Sequence, residues 1–94
     1  MFPGILKKLK DCIKNNRYIV TLHADEEMDD DDLSIYDVES AVLNGVLIER
    51  QQDKSPKEWK YILRGQAIDG SFIIVVAKIG ATGKLVVITV FRDE

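Results

Sequence analysis

The apolar positions of this chain change their spacing near residue 46, and that change splits it into a helical first half and a β-rich second half. Ile5, Leu6, Leu9, Cys12 and Ile13 fall at i, i+1, i+4, i+7 and i+8, the spacing of one buried stripe on a helix. Pro3 suits the first turn of that helix and Asn15-Asn16 its stop. Tyr18–Leu22 is β-branched and aromatic, which predicts a short strand with His23 at its end. An acidic stretch follows, with only Met28 and Leu33 as apolar anchors and little support for a helix. Ser34 is then a good N-cap, and Ser34-x-x-Asp37 approximates a capping box. Ile35, Val38, Ala41 and Val42 make the stripe of a helix over 34–44, and Asn44-Gly45 predicts a left-handed stop.

From Val46 onward everything reads as sheet. Strands are expected at Val46–Gln51, Trp59–Ile68, Ser71–Ile79 and Leu85–Phe91, with a polar loop over Asp53–Lys57. Asp69-Gly70 is a strong hairpin dipeptide, and Gly80-Ala81-Thr82-Gly83 turns the chain again. With two-residue loops at 69–70 and 82–83, Tyr61 falls opposite Lys78, and Val76 opposite Thr89. Directly opposed residues share a face. Trp59, Tyr61, Leu63, Val76, Lys78, Val87 and Thr89 therefore form one face, and Ile62, Ile73, Val75, Ala77, Val86, Ile88 and Val90 the other. The second is the more uniformly apolar and is expected beneath the helices. The predicted fold is α+β: a single domain over 1–94, with an antiparallel four- to five-stranded meander and N-terminal helices packed on one face.

Composition narrows the class. At 94 residues the chain makes one domain that folds without staples. Cys12 is its one cysteine, so no internal disulfide forms, and no paired Cys/His spacing suggests zinc. A lone thiol, no signal-like segment and no membrane-length apolar run point to a cytoplasmic protein without a membrane partner. A net charge of -3 and a pI near 5.1 argue against a protein built mainly to hold nucleic acid. The charge is unevenly spread: five cations against one acid over residues 1–17, then seven acids in the eight positions 25–32. Such blocks form solvated faces or interaction surfaces, and Asp25–Asp32 is expected to be exposed.

His23 is the one histidine, the only side chain here with an unperturbed pKa near neutrality. It could act as a general base, or simply bond local backbone at a strand end. The acidic run beside it fails the calcium-loop pattern, with no glycine at the sixth position and Ser40 where the closing glutamate belongs. No metal or cofactor is expected. Gly80-x-x-Gly83-Lys84 is too short for a phosphate loop and reads as a hairpin turn. Trp59-Lys60-Tyr61 with Arg64 and Lys78 is the nearest approach to a nucleic-acid patch. Tyr61 could equally be an amphipathic residue at the core's edge.

The segments TLHADEEM and LSIYDVESAVLNG within residues 18–44, followed by EWKYILRG, IIVVAKIG and TGKLVVITVF, resemble the domain of unknown function family 4258. Its members are small bacterial proteins, often encoded beside small YgiT-type zinc-finger proteins similar to the antitoxin MqsA. The resemblance implies the toxin component of a type II toxin–antitoxin pair, with likeness to the RelE and BrnT toxins, which are metal-independent ribonucleases. It places the family's histidine at His23, its strand tyrosine at Tyr61 and its late threonine at Thr89. Many relatives read His-x-x-x-Arg-Met and then Arg-Gly, where this chain has Glu27-Met28 and then Asp31-Asp32. That reverses the sign of charge available to RNA phosphates, which dominate RNA affinity.

Two functions stay open. One is a toxin-like ribonuclease acting through the RNA 2′-hydroxyl, with His23 as base, Tyr61 or Thr89 orienting substrate, and Arg64, Lys78 and Trp59 binding it. The other is a non-catalytic module that binds a small zinc-finger, antitoxin-like protein through an open sheet face or the acidic loop.

Overall fold

A computed structural model describes residues 3–52 and 58–93. The polar loop expected over Asp53–Lys57 lies outside the described residues. The elements run α1 (Pro3–Lys14), β1 (Tyr18–Val20), α2 (Leu22–Asp30), α3 (Ile35–Asn44), β2 (Val46–Gln52), β3 (Trp59–Gln66), β4 (Phe72–Ile79) and β5 (Leu85–Arg92). The sheet order is β1-β5-β4-β3-β2. β2 to β5 form the expected antiparallel meander, but β1 pairs parallel with β5, Ile19 beside Val86. The sheet is therefore mixed. Two helices separate β1 from the meander, so the chain enters its outer edge running alongside β5.

α1 and α2 end in the same way. Arg17 N–H reaches the Cys12 carbonyl at 2.8 Å, and Asn16 N–H the Ile13 carbonyl at 3.2 Å, with Asn16 at φ 55°. In α2, Leu33 N–H bonds the Met28 carbonyl at 2.7 Å and Asp32 N–H the Asp29 carbonyl at 3.2 Å, with Asp32 at φ 56°. Both are Schellman stops made without glycine. In the second, buried Met28 and Leu33 supply the accompanying hydrophobic contact. The expected strand over Tyr18–Leu22 stops at Val20, because the Thr21 hydroxyl accepts the Ala24 N–H and caps α2. A helix therefore forms where the acidic sequence gave little support for one.

At the start of α3, the Asp37 carboxylate accepts the Ser34 N–H at 2.9 Å, the return bond of the expected capping box. Gly45 departs from expectation: its φ of -85° is not left-handed. A side chain there is excluded for another reason, since a Cβ would sit 2.2 Å from the Ala41 carbonyl oxygen. At Gly65 a Cβ would come within 2.0 Å of that same oxygen. The end of α3 thus lies directly on the β3 backbone.

Both hairpins hold one loop residue more than expected. Gly70 N–H bonds the Ala67 carbonyl and Ala67 N–H the Ser71 carbonyl, with Gly70 at φ 89°. Gly83 N–H bonds Gly80, and Gly80 N–H bonds Lys84, with Gly83 at φ 84°. Each is a three-residue loop closed by a left-handed glycine. In the first hairpin the extra residue shifts the register by one: Tyr61 lies opposite Ala77, not Lys78. In the second, the pairing slips between Val76 and Ala77, leaving Ile88 as the extra residue, so Val76 does face Thr89.

These shifts redistribute the faces. Tyr61, Ala77 and Val87 align, as do Leu63, Val75 and Val90. With Ile73 and Leu85 they join Leu9, Cys12, Ile13, Met28, Val38 and Val42 of the helices in one core. Ile62, Val76 and Thr89 align on the opposite face, as do Arg64, Ile74 and Phe91, and Lys78 and Val86. None of these belongs to the core cluster. The helices do cover one face, as expected, but Trp59, Tyr61, Leu63 and Val87 lie on it, while Ile62 and Val86 lie on the uncovered one.

Candidate functional site: the uncovered sheet face and the His23 corner

β5 runs on past β1, and its outer edge would be left with unpaired backbone groups. Side chains of α2 occupy that edge. Thr21 Oγ1 donates to the Ile88 carbonyl, Glu27 Oε1 accepts the Val90 N–H at 3.2 Å, and Asp31 Oδ2 accepts the Arg92 N–H at 3.1 Å. β3 is treated likewise beyond β2. Asn44 exchanges two bonds with the Gln66 backbone, Ser40 donates to the Gln66 carbonyl, and Asp37 Oδ1 accepts the Ile68 N–H. Burial works against ionisation of Asp37, but the bonds from the Ser34 and Ile68 N–H groups and the Ser34 hydroxyl outweigh it and hold the carboxyl below its usual range.

The acidic run is therefore only partly the solvated face expected. Asp25, Glu26, Asp29, Asp30 and Asp32 are exposed, but Met28 is buried, and Glu27 and Asp31 are half-buried against β5. Nothing in composition marked these two as edge caps. Their legible signal is spacing: His23, Glu27 and Asp31 recur every four residues along one helix face.

His23 sits in the first turn of α2 with its side chain 67% exposed, and its Nε2 lies 3.3 Å from Glu27 Oε1. Since Glu27 is itself pinned by Val90, the ring is oriented through a fixed carboxylate.

Tyr61 is elsewhere: 7% exposed, inside the core beneath the helices. Thr89 lies on the uncovered face beside Val76. The sheet stands between the two, so the expectation that His23, Tyr61 and Thr89 border one surface fails at Tyr61. The cause is the extra residue in the 68–70 loop.

Lys78, Arg64 and Thr89 do share the uncovered face. The Arg64 Nε bonds the Asp93 carboxylate, and its guanidinium lies 3.8 Å above the Phe72 ring. Lys78 too is engaged with neighbouring groups. Trp59 is on the helix-covered side, half-buried, with the Arg50 guanidinium 4.0 Å from its ring centre. Among the described residues, no three His, Cys, Asp or Glu side chains gather in a way that could hold a metal. No described helix is long and apolar enough to cross a membrane.

The arrangement that remains is a twisted sheet with one face packed and the other bare, flanked by a carboxylate-pinned histidine. A family model described as Domain of unknown function (DUF4258) matches residues 20–92, from the last residue of β1 through β5, and the chain belongs to that family. No curated protein and no solved structure matches it significantly.

Proposed function

We propose that this chain is the toxin-like half of a toxin–antitoxin pair and that it works by binding, with its uncovered sheet face receiving a partner protein. The observation that carries the reading is the face itself. Ile62, Val76 and Val86 form a half-buried apolar centre on it, over a buried Ile74, with Ile19 at 52%, Phe72 at 40% and Phe91 at 41% exposure around them. Apolar patches of this kind on a small domain mark interaction sites. Lys78 and Lys84 stand toward the 80–84 turn, so the complementary surface is apolar with an acidic margin. The small zinc-finger protein implied by the family resemblance is the natural candidate. With Tyr61 on the opposite face, a single catalytic group built from His23, Tyr61 and Thr89 together loses its main support.

The test is calorimetric titration with the protein encoded beside this one, using the native chain, Ile62→Lys and Val76→Lys. A loss of at least about tenfold in affinity, roughly 1.4 kcal/mol, with the fold intact by circular dichroism, supports the reading. Unchanged affinity in both variants sinks it.

A second reading rests on the His23–Glu27 pair. An exposed imidazole oriented by a fixed carboxylate is equipped to take a proton from an RNA 2′-hydroxyl. The surrounding Asp25, Glu26, Asp29 and Asp30 oppose an RNA phosphate there. Growth arrest on induced expression that vanishes in His23→Ala, while Tyr61→Phe stays toxic, would favour this chemistry over binding alone.

A further inference from the structure

The sequence carries its opposite charges in adjacent blocks, and the fold pulls them apart. α1 ends beside the turn that opens β5: Cys12 Sγ lies 3.6 Å from the Gly83 carbonyl, and Leu85 N–H bonds the Arg17 carbonyl at 3.0 Å. α2 ends at the other extremity of β5, where Arg92 and Asp31 meet. β5 has 8 residues, about 25 Å of strand. The screening length is about 10 Å at 0.1 M salt. Asp29, Asp30 and Asp32, at that far end, therefore do little to cancel the basic one, while Asp25 and Glu26 lie nearer the middle of β5, where α2 begins.

We propose that the basic end, formed by α1 and the 80–84 turn, grips the phosphate backbone of a nucleic acid. Its cations are Lys8, Lys10, Lys14, Arg17 and Lys84, the last brought beside Arg17 when the parallel β1–β5 register is continued one step back. Lys8, Lys10, Lys14 and Lys84 have no carboxylate partner among the described residues. Lys7 is the exception, its Nζ 3.1 Å from Asp11 Oδ2. Lys14 alone would be accounted for by the helix dipole, which favours a cation in the last turn. Lys8 and Lys10 sit mid-helix and have no such role. Lys8, Arg17 and Gly83 line one open groove with Cys12 and Asp11, and Lys10 and Lys14 line a second on the other side of α1, so the cations flank the helix on both sides.

The geometry favours a polyanion over a lipid surface. A helix lying on a bilayer needs a free apolar face. In α1, Leu9, Cys12 and Ile13 are buried in the core, and Ile5 and Leu6 pack against it. The two readings share Lys84 but no substituted residue, so each experiment can fail without the other, and α1 precedes the family segment.

The experiment follows fluorescence anisotropy of a labelled single-stranded RNA and a labelled duplex DNA titrated with the whole chain. If four cations engage a single strand, raising salt from about 50 to 200 mM weakens binding by roughly 50-fold. The triple variant Lys8→Gln, Lys10→Gln, Lys14→Gln keeps helix propensity and lowers the salt slope by about two units. Tighter binding of RNA or of duplex decides which polymer is held. No binding of either at low salt overturns the proposal, as does a slope unchanged in the variant. Stronger association with anionic lipid vesicles, or salt-sensitive self-association in light scattering that accounts for the signal, overturns it too.

Discussion

Asp31 and Arg92 bind each other twice through their backbones: the Asp31 carboxylate accepts the Arg92 N–H at 3.1 Å, and the Asp31 carbonyl accepts the Arg92 Nε at 3.0 Å. The pair fastens the end of α2 to the end of β5. With Glu27, it lets a helix stand in for a strand along an edge that would otherwise invite pairing with another chain. Asp31→Ala is expected to cost about 1–2 kcal/mol in urea unfolding. Hydrogen exchange at the Val90 and Arg92 amides should quicken in Glu27→Ala and Asp31→Ala before it does in β4. Protection unchanged at both amides would remove the edge-cap account.

Asp32 holds a left-handed conformation that glycine adopts without strain. Asp32→Gly is expected to stabilise the chain by about 0.5–1 kcal/mol, raising the melting temperature by roughly 2–8 °C. A lower melting temperature would mean that the aspartate contributes more than its backbone costs.

Gly65→Ala tests the direct seating of α3 on β3. The new methyl would meet the Ala41 carbonyl, and backbone on both sides leaves little room to yield. A loss of about 3 kcal/mol is expected, against well under 1 kcal/mol for Gly4→Ala, whose Cβ would have nothing within 4 Å.

Tyr18 donates to Glu39 Oε2 at 2.6 Å, and this bond, with burial and the Glu39 charge behind it, pushes its phenol up to about 12. A raised acid pKa favours the neutral form in the fold. The stabilisation is therefore complete below the ordinary tyrosine pKa near 10 and drains away as pH climbs toward 12. The phenolate absorbance of the native chain should show one late-titrating tyrosine that disappears in Tyr18→Phe. That variant should also lose the alkaline fall in stability between those two values. Asp37 adds the mirror effect in acid: its depressed carboxyl supports the fold above its ordinary pKa, and that support goes as pH falls through the depressed value.

The elements were legible in the sequence where local patterning decided them. The α1 stripe, the Ser34–Asp37 cap and four of the strands follow from spacing and turn residues alone. What escaped was set at a distance. The glycines at 70 and 83 announced turns but not their length, and one residue of length exchanged Tyr61 for Ile62 on the bare face. The parallel partner of β1 lies more than sixty residues away, and Tyr18-Ile19-Val20 carries no mark of its direction. The acidic run looked like a surface because its charges dominate. Only the position of Glu27 and Asp31 beneath β5 turns two of them into structural acceptors. Of the expected site, His23 stood out by residue type, but the sequence put it at a strand end, and it lies in the first turn of α2, where the helix brings Glu27 beside it. The shared face of Lys78 and Thr89 emerged from a register count whose two errors within the second hairpin cancelled.

The pairing of β1 with β5 also has a bearing on how the protein is made. The first strand finds its hydrogen-bond partner only in residues 85–87, near the end of the described chain. A nascent chain emerges from its N-terminus onward. α2 therefore precedes the strand whose edge it covers, while α1 already has α3 to pack on before β5 emerges. Contacts so distant along the chain also slow folding. Closure of the interior therefore waits on β5, and a chain cut before residue 85 would lack the strand that joins β1 to the rest of the sheet.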